Sequence, residues 1–180
     1  NQRLSVTWHY SGHDLRSLPE LGPHFTFPHV TELSLRSLLL EEVPERFLLS
    51  FPNLTSLELS YNRLRRLPGS LTLLNELHIL DLSGNRISLD LPQAQVLSLC
   101  RRLRYLNLSD NRLSMTFSVA QMDQLAELRL RNTGLALLPE GIMECERLYM
   151  LDASSNVITS LPPDFTQSRL WQTGYVALSD

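Results

Sequence analysis

The chain has 180 residues, 41 of them leucine, and its 16 basic and 19 acidic side chains leave a net charge of −3. That length suits one modest domain, and the longest uncharged apolar runs fall far short of the roughly 20 residues that cross a bilayer. The opening Asn1–Trp8 lacks the basic-then-apolar order of a secretory leader. Seven scattered glycines leave no phosphate-cradling loop.

Every basic residue is arginine. An arginine-biased genome and selection against the side-chain amine both account for the missing lysine. The two cysteines, Cys100 and Cys145, are too few and too distant for a disulfide scaffold or a four-ligand zinc site.

In chain order, one frame recurs: Leu-x-x-Leu-x-Leu-x-x-Asn-x-Leu. A degenerate first copy reads Ser5, Trp8, Tyr10, His13, Leu15, and the second reads Val30, Leu33, Leu35, Leu38, Leu40. The pattern sharpens at Leu54, Leu57, Leu59, Asn62, Leu64 and again at Leu77, Leu80, Leu82, Asn85, Ile87. It continues as Leu103, Leu106, Leu108, Asn111, Leu113 and then as Leu125, Leu128, Leu130, Thr133, Leu135. Leu148, Leu151, Ala153, Asn156, Ile158 complete a further copy, and an eighth starts at Thr173, Val176, Leu178 and stops at Asp180. The starts are 22 to 26 residues apart.

On these residues the chain is identified as a leucine-rich repeat protein. The resemblance implies an α/β solenoid, a right-handed horseshoe with a parallel β-sheet on its concave face and short helices, 3₁₀ turns and loops on its convex face. Residues 1–180 then form one domain of about seven complete repeats plus the truncated eighth from 173, a fragment of a longer protein. The physics agrees. Each x-Leu-x-Leu-x segment alternates as a short strand, so its leucines share one face and its variable residues the other. One repeat alone cannot bury its leucines, but stacked neighbours bury them for one another at roughly 1.5–3 kcal/mol per side chain.

The turn after each strand leaves backbone groups unpaired, and a carboxamide both donates and accepts. Asn62, Asn85, Asn111 and Asn156 are therefore expected to form a ladder. Leu38 cannot take part and His13 and Thr133 only partly, which predicts irregular early repeats. Leu-Pro pairs at Leu18-Pro19, Leu67-Pro68, Leu138-Pro139 and Leu161-Pro162, with Val43-Pro44 as a variant, end each strand region. Asp90 followed by Leu91-Pro92-Gln93-Ala94-Gln95-Val96-Leu97 predicts a capped helix, and the other return paths shorter helices or 3₁₀ turns.

Chemistry is sparse. Cys100 and Cys145 sit in phase with buried apolar positions and read as small hydrophobes. His9 and His13 lie across a strand and turn, where that spacing makes no metal site. Asn53-Leu54-Thr55 and Asn107-Leu108-Ser109 match the glycosylation triplet, which a repeat rich in Asn, Leu and Ser generates by itself. The arginine clusters 63–66 and 101–104 are interleaved with acids in a chain of pI near 6 and read as solvated surface, with no nucleic-acid footprint. No catalytic residue, metal or cofactor is expected within these positions.

Binding information is expected on the outward strand positions. One column runs Thr7, Glu32, Ser56, Ile79, Tyr105, Glu127, Met150, Tyr175, and the fold needs nothing apolar there, so Ile79, Tyr105, Met150 and Tyr175 form a candidate anchor strip. The next column reads His9, Ser34, Glu58, Asp81, Asn107, Arg129, Asp152, Ala177. Beyond the turn, Arg63, Arg86 and Arg112 occupy one place in three successive repeats. A protein or peptide docking on Tyr105 and Met150, with Arg86, Arg112, Arg129, Asp81 and Asp152 setting charge complementarity, is the expected mode. The alternative is that the tyrosines fill space between strands and the charges are ordinary cross-strand pairs.

Narrower phrases, Arg131-Asn132-Thr133-Gly134-Leu135, Leu138-Pro139-Glu140-Gly141, Ile87-Ser88-Leu89-Asp90 and Leu178-Ser179-Asp180, resemble the leucine-rich region of pseudomonad-like bacterial effectors of the novel E3 ubiquitin ligase family. That resemblance implies repeats that select a host substrate protein, secretion into host cytoplasm, and a separate C-terminal ligase domain working with an E2 and ubiquitin through a Cys-x-Asp motif. Cys100 precedes Arg101-Arg102 and Cys145 precedes Glu146-Arg147, so the motif is not in this stretch. A non-enzymatic adaptor, in the cytoplasm, is the alternative. A lysine-free arm would escape modification by its own ligase.

Overall fold

The computed structural model describes residues 4–7, 18–22 and 24–179. Its strands are β1 (Leu4–Thr7), β2 (Val30–Ser34), β3 (Ser56–Glu58), β4 (Ile79–Asp81), β5 (Tyr105–Asn107), β6 (Glu127–Arg129), β7 (Met150–Asp152) and β8 (Tyr175–Ala177). They lie side by side in chain order in one eight-stranded sheet, every neighbouring pair parallel. The return paths carry α1 (Glu45–Leu49), α2 (Leu91–Ser98), α3 (Arg169–Thr173) and 3₁₀ turns at Gly69–Leu73, Ile142–Glu144 and Phe165–Gln167. Strands stack about 4.8 Å apart whereas helices need about 8–10 Å, so the sheet lines the inside of the curve.

The leucines of the frame fill the space between the two layers. Leu57, Leu80, Leu106, Leu128 and Leu151, each the central residue of its strand, are all fully buried, as are Leu59, Leu82, Leu108 and Leu130 two residues on. Register keeps these equivalent leucines face to face, with Leu57 opposite Leu80 and Leu80 opposite Leu106. A slip of one residue would turn every leucine to solvent, which is why the repeat specifies its register so strongly. Cys100 and Cys145 are buried in the same interior.

The asparagines close the turns. Asn62 accepts from Leu40 N–H (3.1 Å) through Oδ1 and donates to the Leu35 and Leu59 carbonyls (2.8 and 2.9 Å). Asn85 and Asn111 repeat this one and two coils on, accepting from Leu64 and Ile87 and donating to Leu59 and Leu82, and to Leu82 and Leu108. Asn156 accepts from Leu135 and donates to the Leu130 and Ala153 carbonyls. Thr133 has one hydroxyl proton to offer, within reach of both the Leu130 carbonyl and Asn156 Oδ1 (2.9 Å each).

The turns expected after the strands have a left-handed backbone that the sequence does not show. Among the described residues, the one before each slot is left-handed: Ser37, Tyr61, Gly84, Asp110, Asn132 and Ser155 all have positive φ. Where the slot holds Leu38 or Thr133, the residue after it, Leu39 or Gly134, is left-handed as well. That second twist aims two backbone N–H groups at the next asparagine: Leu38 and Leu40 both donate to Asn62 Oδ1, and Thr133 and Leu135 both donate to Asn156 Oδ1.

Helix α2 follows its predicted start: Asp90 accepts from Gln93 N–H (2.9 Å) and a proline stands in the first turn. Gln93 turns inward, and its Oε1 accepts from Leu67 N–H (2.5 Å) of the preceding coil. The first copy corrects the expected alignment. Val6, not Trp8, stands opposite Leu33, Ser5 opposite Glu32 and Thr7 opposite Ser34, with a register irregularity after Leu4. The first copy lacks leucines at Trp8 and Tyr10, so the sequence does not pin its register, and pairing with β2 sets it. His9 and His13 lie outside the described residues.

Candidate partner-binding face

The parallel register places the anchor strip in one row. Ile79 pairs with Tyr105, Tyr105 with Glu127, Glu127 with Met150 and Met150 with Tyr175. Ile79 (44%) and Tyr175 (59%) are exposed, and Tyr105 and Met150 are half-buried on the outer surface, apart from the leucine core. Glu127 divides the row into an Ile79–Tyr105 half and a Met150–Tyr175 half.

Polar groups tie the divider down. Tyr149 donates its hydroxyl to Glu127 Oε1 (2.6 Å), and Arg129 Nη2 lies 3.5 Å from Glu127 Oε2. Donation to Glu127 holds the Tyr149 phenol above its ordinary pKa, and burial does the same for Tyr105. Both rings therefore remain neutral, presenting an apolar body and a polar tip. Asn107 Nδ2 reaches the Tyr105 hydroxyl at 3.4 Å. Arg129 Nε is buried without a hydrogen-bond partner among the described residues, so this guanidinium is incompletely satisfied.

The charged residues divide by role. Asp81 Oδ1 accepts from Ser83 N–H and Oγ–H (2.9 and 2.6 Å), and Asp152 Oδ1 accepts from Ser154 in the same way (3.0 and 2.6 Å). Both carboxylates hold the turn after their strand, a task in which Asn107 joins them through Ser109 N–H (3.0 Å). Arg86 and Arg112 are exposed beyond that turn, with no ion pair to a described residue, and border the strip without entering it. Of the two glycosylation triplets, Asn107 on β5 accepts from Ser109 N–H through Oδ1, and Asn53 Nδ2 donates to the Pro28 carbonyl (2.9 Å).

Two aromatic residues at this face escaped the column reading. Tyr149 is exposed beside Met150, in a position just ahead of each strand that was not read out. Tyr61 is a left-handed turn residue whose ring carries the Arg36 guanidinium 4.9 Å from its centroid, and it rests on Gly84 on the next coil. The signal for Tyr149 was its place next to an outward apolar residue. Nothing local announces a tyrosine at positive φ.

With this geometry in view, the likeness to known proteins is specific. Family models described as leucine rich repeat match residues 28–87 and 102–120. A leucine-rich repeat protein of Leptospira interrogans is 29% identical over 84% of this chain and 38% of its own, with a TM-score of 0.71. The LRIM1/APL1C complex contains a chain matched at 22% identity over 82% of this chain and 27% of that one, with a TM-score of 0.71. Internalin C2 of Listeria monocytogenes is 19% identical over 85% of this chain and 64% of its own, with a TM-score of 0.64. The chain spans less than two thirds of the length of each of these. Repeated frame, one-directional sheet, asparagine-closed turns and matched family models together show the leucine-rich repeat fold.

Proposed function

We propose that the outward face of β4–β8 binds a protein partner, with Ile79, Tyr105, Met150 and Tyr175 as apolar anchors and Arg129, Arg86 and Arg112 as charged neighbours. The observation that carries this is a row of solvent-accessible aliphatic and aromatic side chains at positions where the stack requires none. Among the similar structures, LRIM1/APL1C is itself a complex, which is in keeping with this use of the fold. A photo-crosslinking residue at position 175 identifies the partner. Tyr105→Ala and Met150→Ala then each weaken its binding by about 10- to 100-fold, whereas Leu91→Ala on α2 leaves it unchanged. Undiminished affinity in both strip variants ends the reading.

A finer form of the proposal makes this domain the substrate arm of a bacterial effector ubiquitin ligase acting in host cytoplasm. Its support is the set of effector-like phrases around Thr133 and Pro139 together with the absence of lysine. Burial disfavours the thiolate of both cysteines present, pushing Cys100 up to about 12 and Cys145 up to about 11. The deciding experiment is ubiquitin transfer by the parent chain, which requires a Cys-x-Asp motif outside residues 1–180. A parent without that motif and activity is an adaptor.

A further inference from the structure

Away from the sheet face, a cleft of about 530 Å³ opens on the convex side between the sixth and seventh coils, where Leu137, Met143 and Leu161 converge. All three are open to solvent, at 51%, 40% and 37%. The stack does not demand Leu137 or Met143. The residue ahead of the Leu-Pro or Val-Pro pair is Glu42, Arg66 or Ser160 in other coils, and the buried Leu71, Leu97 and Val119 that align with Ile142 are followed by Thr72, Ser98 and Ala120. Leu161 aligns with Leu67 and Leu138, which are buried, yet it is left partly uncovered at this cleft.

The walls are built before any ligand arrives. Glu140 and Val119 exchange backbone hydrogen bonds with the neighbouring coil, Val119 N–H to the Glu140 carbonyl (2.8 Å) and Glu140 N–H to the Phe117 carbonyl (3.0 Å). Gly141, at φ +81°, lies so close to Ala120 that a Cβ would sit 2.5 Å from the alanine side chain. Pro139 and Pro162 fix φ along both lips. A preformed apolar recess of this size is suited to one or two inserted side chains.

The rim has a sign. Glu140 and Glu144 line the opening, both exposed and neither in an ion pair with a described residue, and no basic residue lines it. Such a surface complements an apolar group with a cation beside it and disfavours one with an anion. We propose that this cleft is a second docking site, taking a peptide segment of a partner protein in which an aliphatic or aromatic side chain stands next to arginine or lysine. The assignment is independent of the outward sheet face.

The test uses the whole 180-residue chain and fluorescein-labelled short peptides carrying a central leucine or tryptophan flanked by arginine, serine or glutamate, with binding read by fluorescence polarisation. The arginine-flanked peptides bind, the glutamate-flanked ones at least about tenfold more weakly, and the difference shrinks as salt is raised. Leu137→Ser and Met143→Gln each lower the affinity about tenfold with an unchanged thermal midpoint, since both sites are solvent-open. Glu140→Gln with Glu144→Gln removes the preference for arginine, and Tyr105→Ala leaves everything as it was. Indifference to the flanking charge, or to both Leu137→Ser and Met143→Gln, overturns the proposal. So does loss of binding in Tyr105→Ala, or a sedimentation change in Leu137→Ser showing that a second copy fills the cleft.

Discussion

The turn after each strand shows how one side chain stands in for several backbone partners. Asn85 accepts one N–H and donates to two buried carbonyls, Leu59 and Leu82, which no water reaches. Replacing it by threonine keeps at most one of those donations, as Thr133 demonstrates, so Asn85→Thr lowers unfolding free energy by about 2–3 kcal/mol in urea titrations. Thr133 is followed by the left-handed Gly134, which lets Asn156 accept a second N–H. Asn85→Thr combined with Arg86→Gly therefore recovers part of the loss, because Asn111 stands where Asn156 does. Gly84 is the second sensitive position. At φ +66°, with the Tyr61 ring 2.6 Å from any added Cβ, Gly84→Ala costs at least about 1–2 kcal/mol from backbone strain. In a Tyr61→Ala background the cost falls toward the strain alone, as measured by the same titration.

Among the elements, α2 is the one with a complete local code. Asp90 caps it through Gln93 N–H, a proline occupies its first turn, and Leu97 and Gln93 face inward. Asp90→Ala lowers stability by about 1 kcal/mol in thermal or urea melts. The Arg66 contact at 3.8 Å joins two exposed side chains and adds little to that figure. The shorter return paths have no such code. Residues 69–73 and 142–144 become 3₁₀ turns because Pro68 precedes the first, Gly141 precedes the second, and each must close over a neighbouring coil within a few residues. In the strands, β3 to β8 are each three residues long and were visible in the leucine spacing. β1 was visible only as a strand: without leucines at Trp8 and Tyr10 the frame could slide by two, and pairing with β2 chose the register.

At the scale of the whole molecule, stability is carried from coil to coil along one leucine interior. Leu106, fully buried at the middle of the stack, touches both neighbouring coils, so Leu106→Ala costs about 2–5 kcal/mol. The buried thiols add a pH dependence of definite sign. Below about pH 9, the ordinary value, Cys100 is protonated whether folded or not and nothing is lost. Above it the unfolded thiol ionises while burial holds the folded one to about 12, so stability falls as pH rises from 9 toward 12. Melts at rising alkaline pH show that decline, with a shallower slope in Cys100→Ala.

Periodicity alone determined the parallel stack, the buried leucines, the asparagine turns and the outward row from Ile79 to Tyr175, because a frame of 22 to 26 residues that buries its leucines only against copies of itself has one way to pack. Three features were decided only in three dimensions. They are the assignment of Asp81 and Asp152 to holding turns, the left-handed column through Tyr61 and Gly84, and the convex cleft at Leu137. The Tyr61–Gly84 approach and the cleft join residues on different coils, whose partners no local spacing names; the two aspartates turn to serines only two residues on, yet a carboxylate on a strand looks the same in sequence whether it faces a ligand or its own serine.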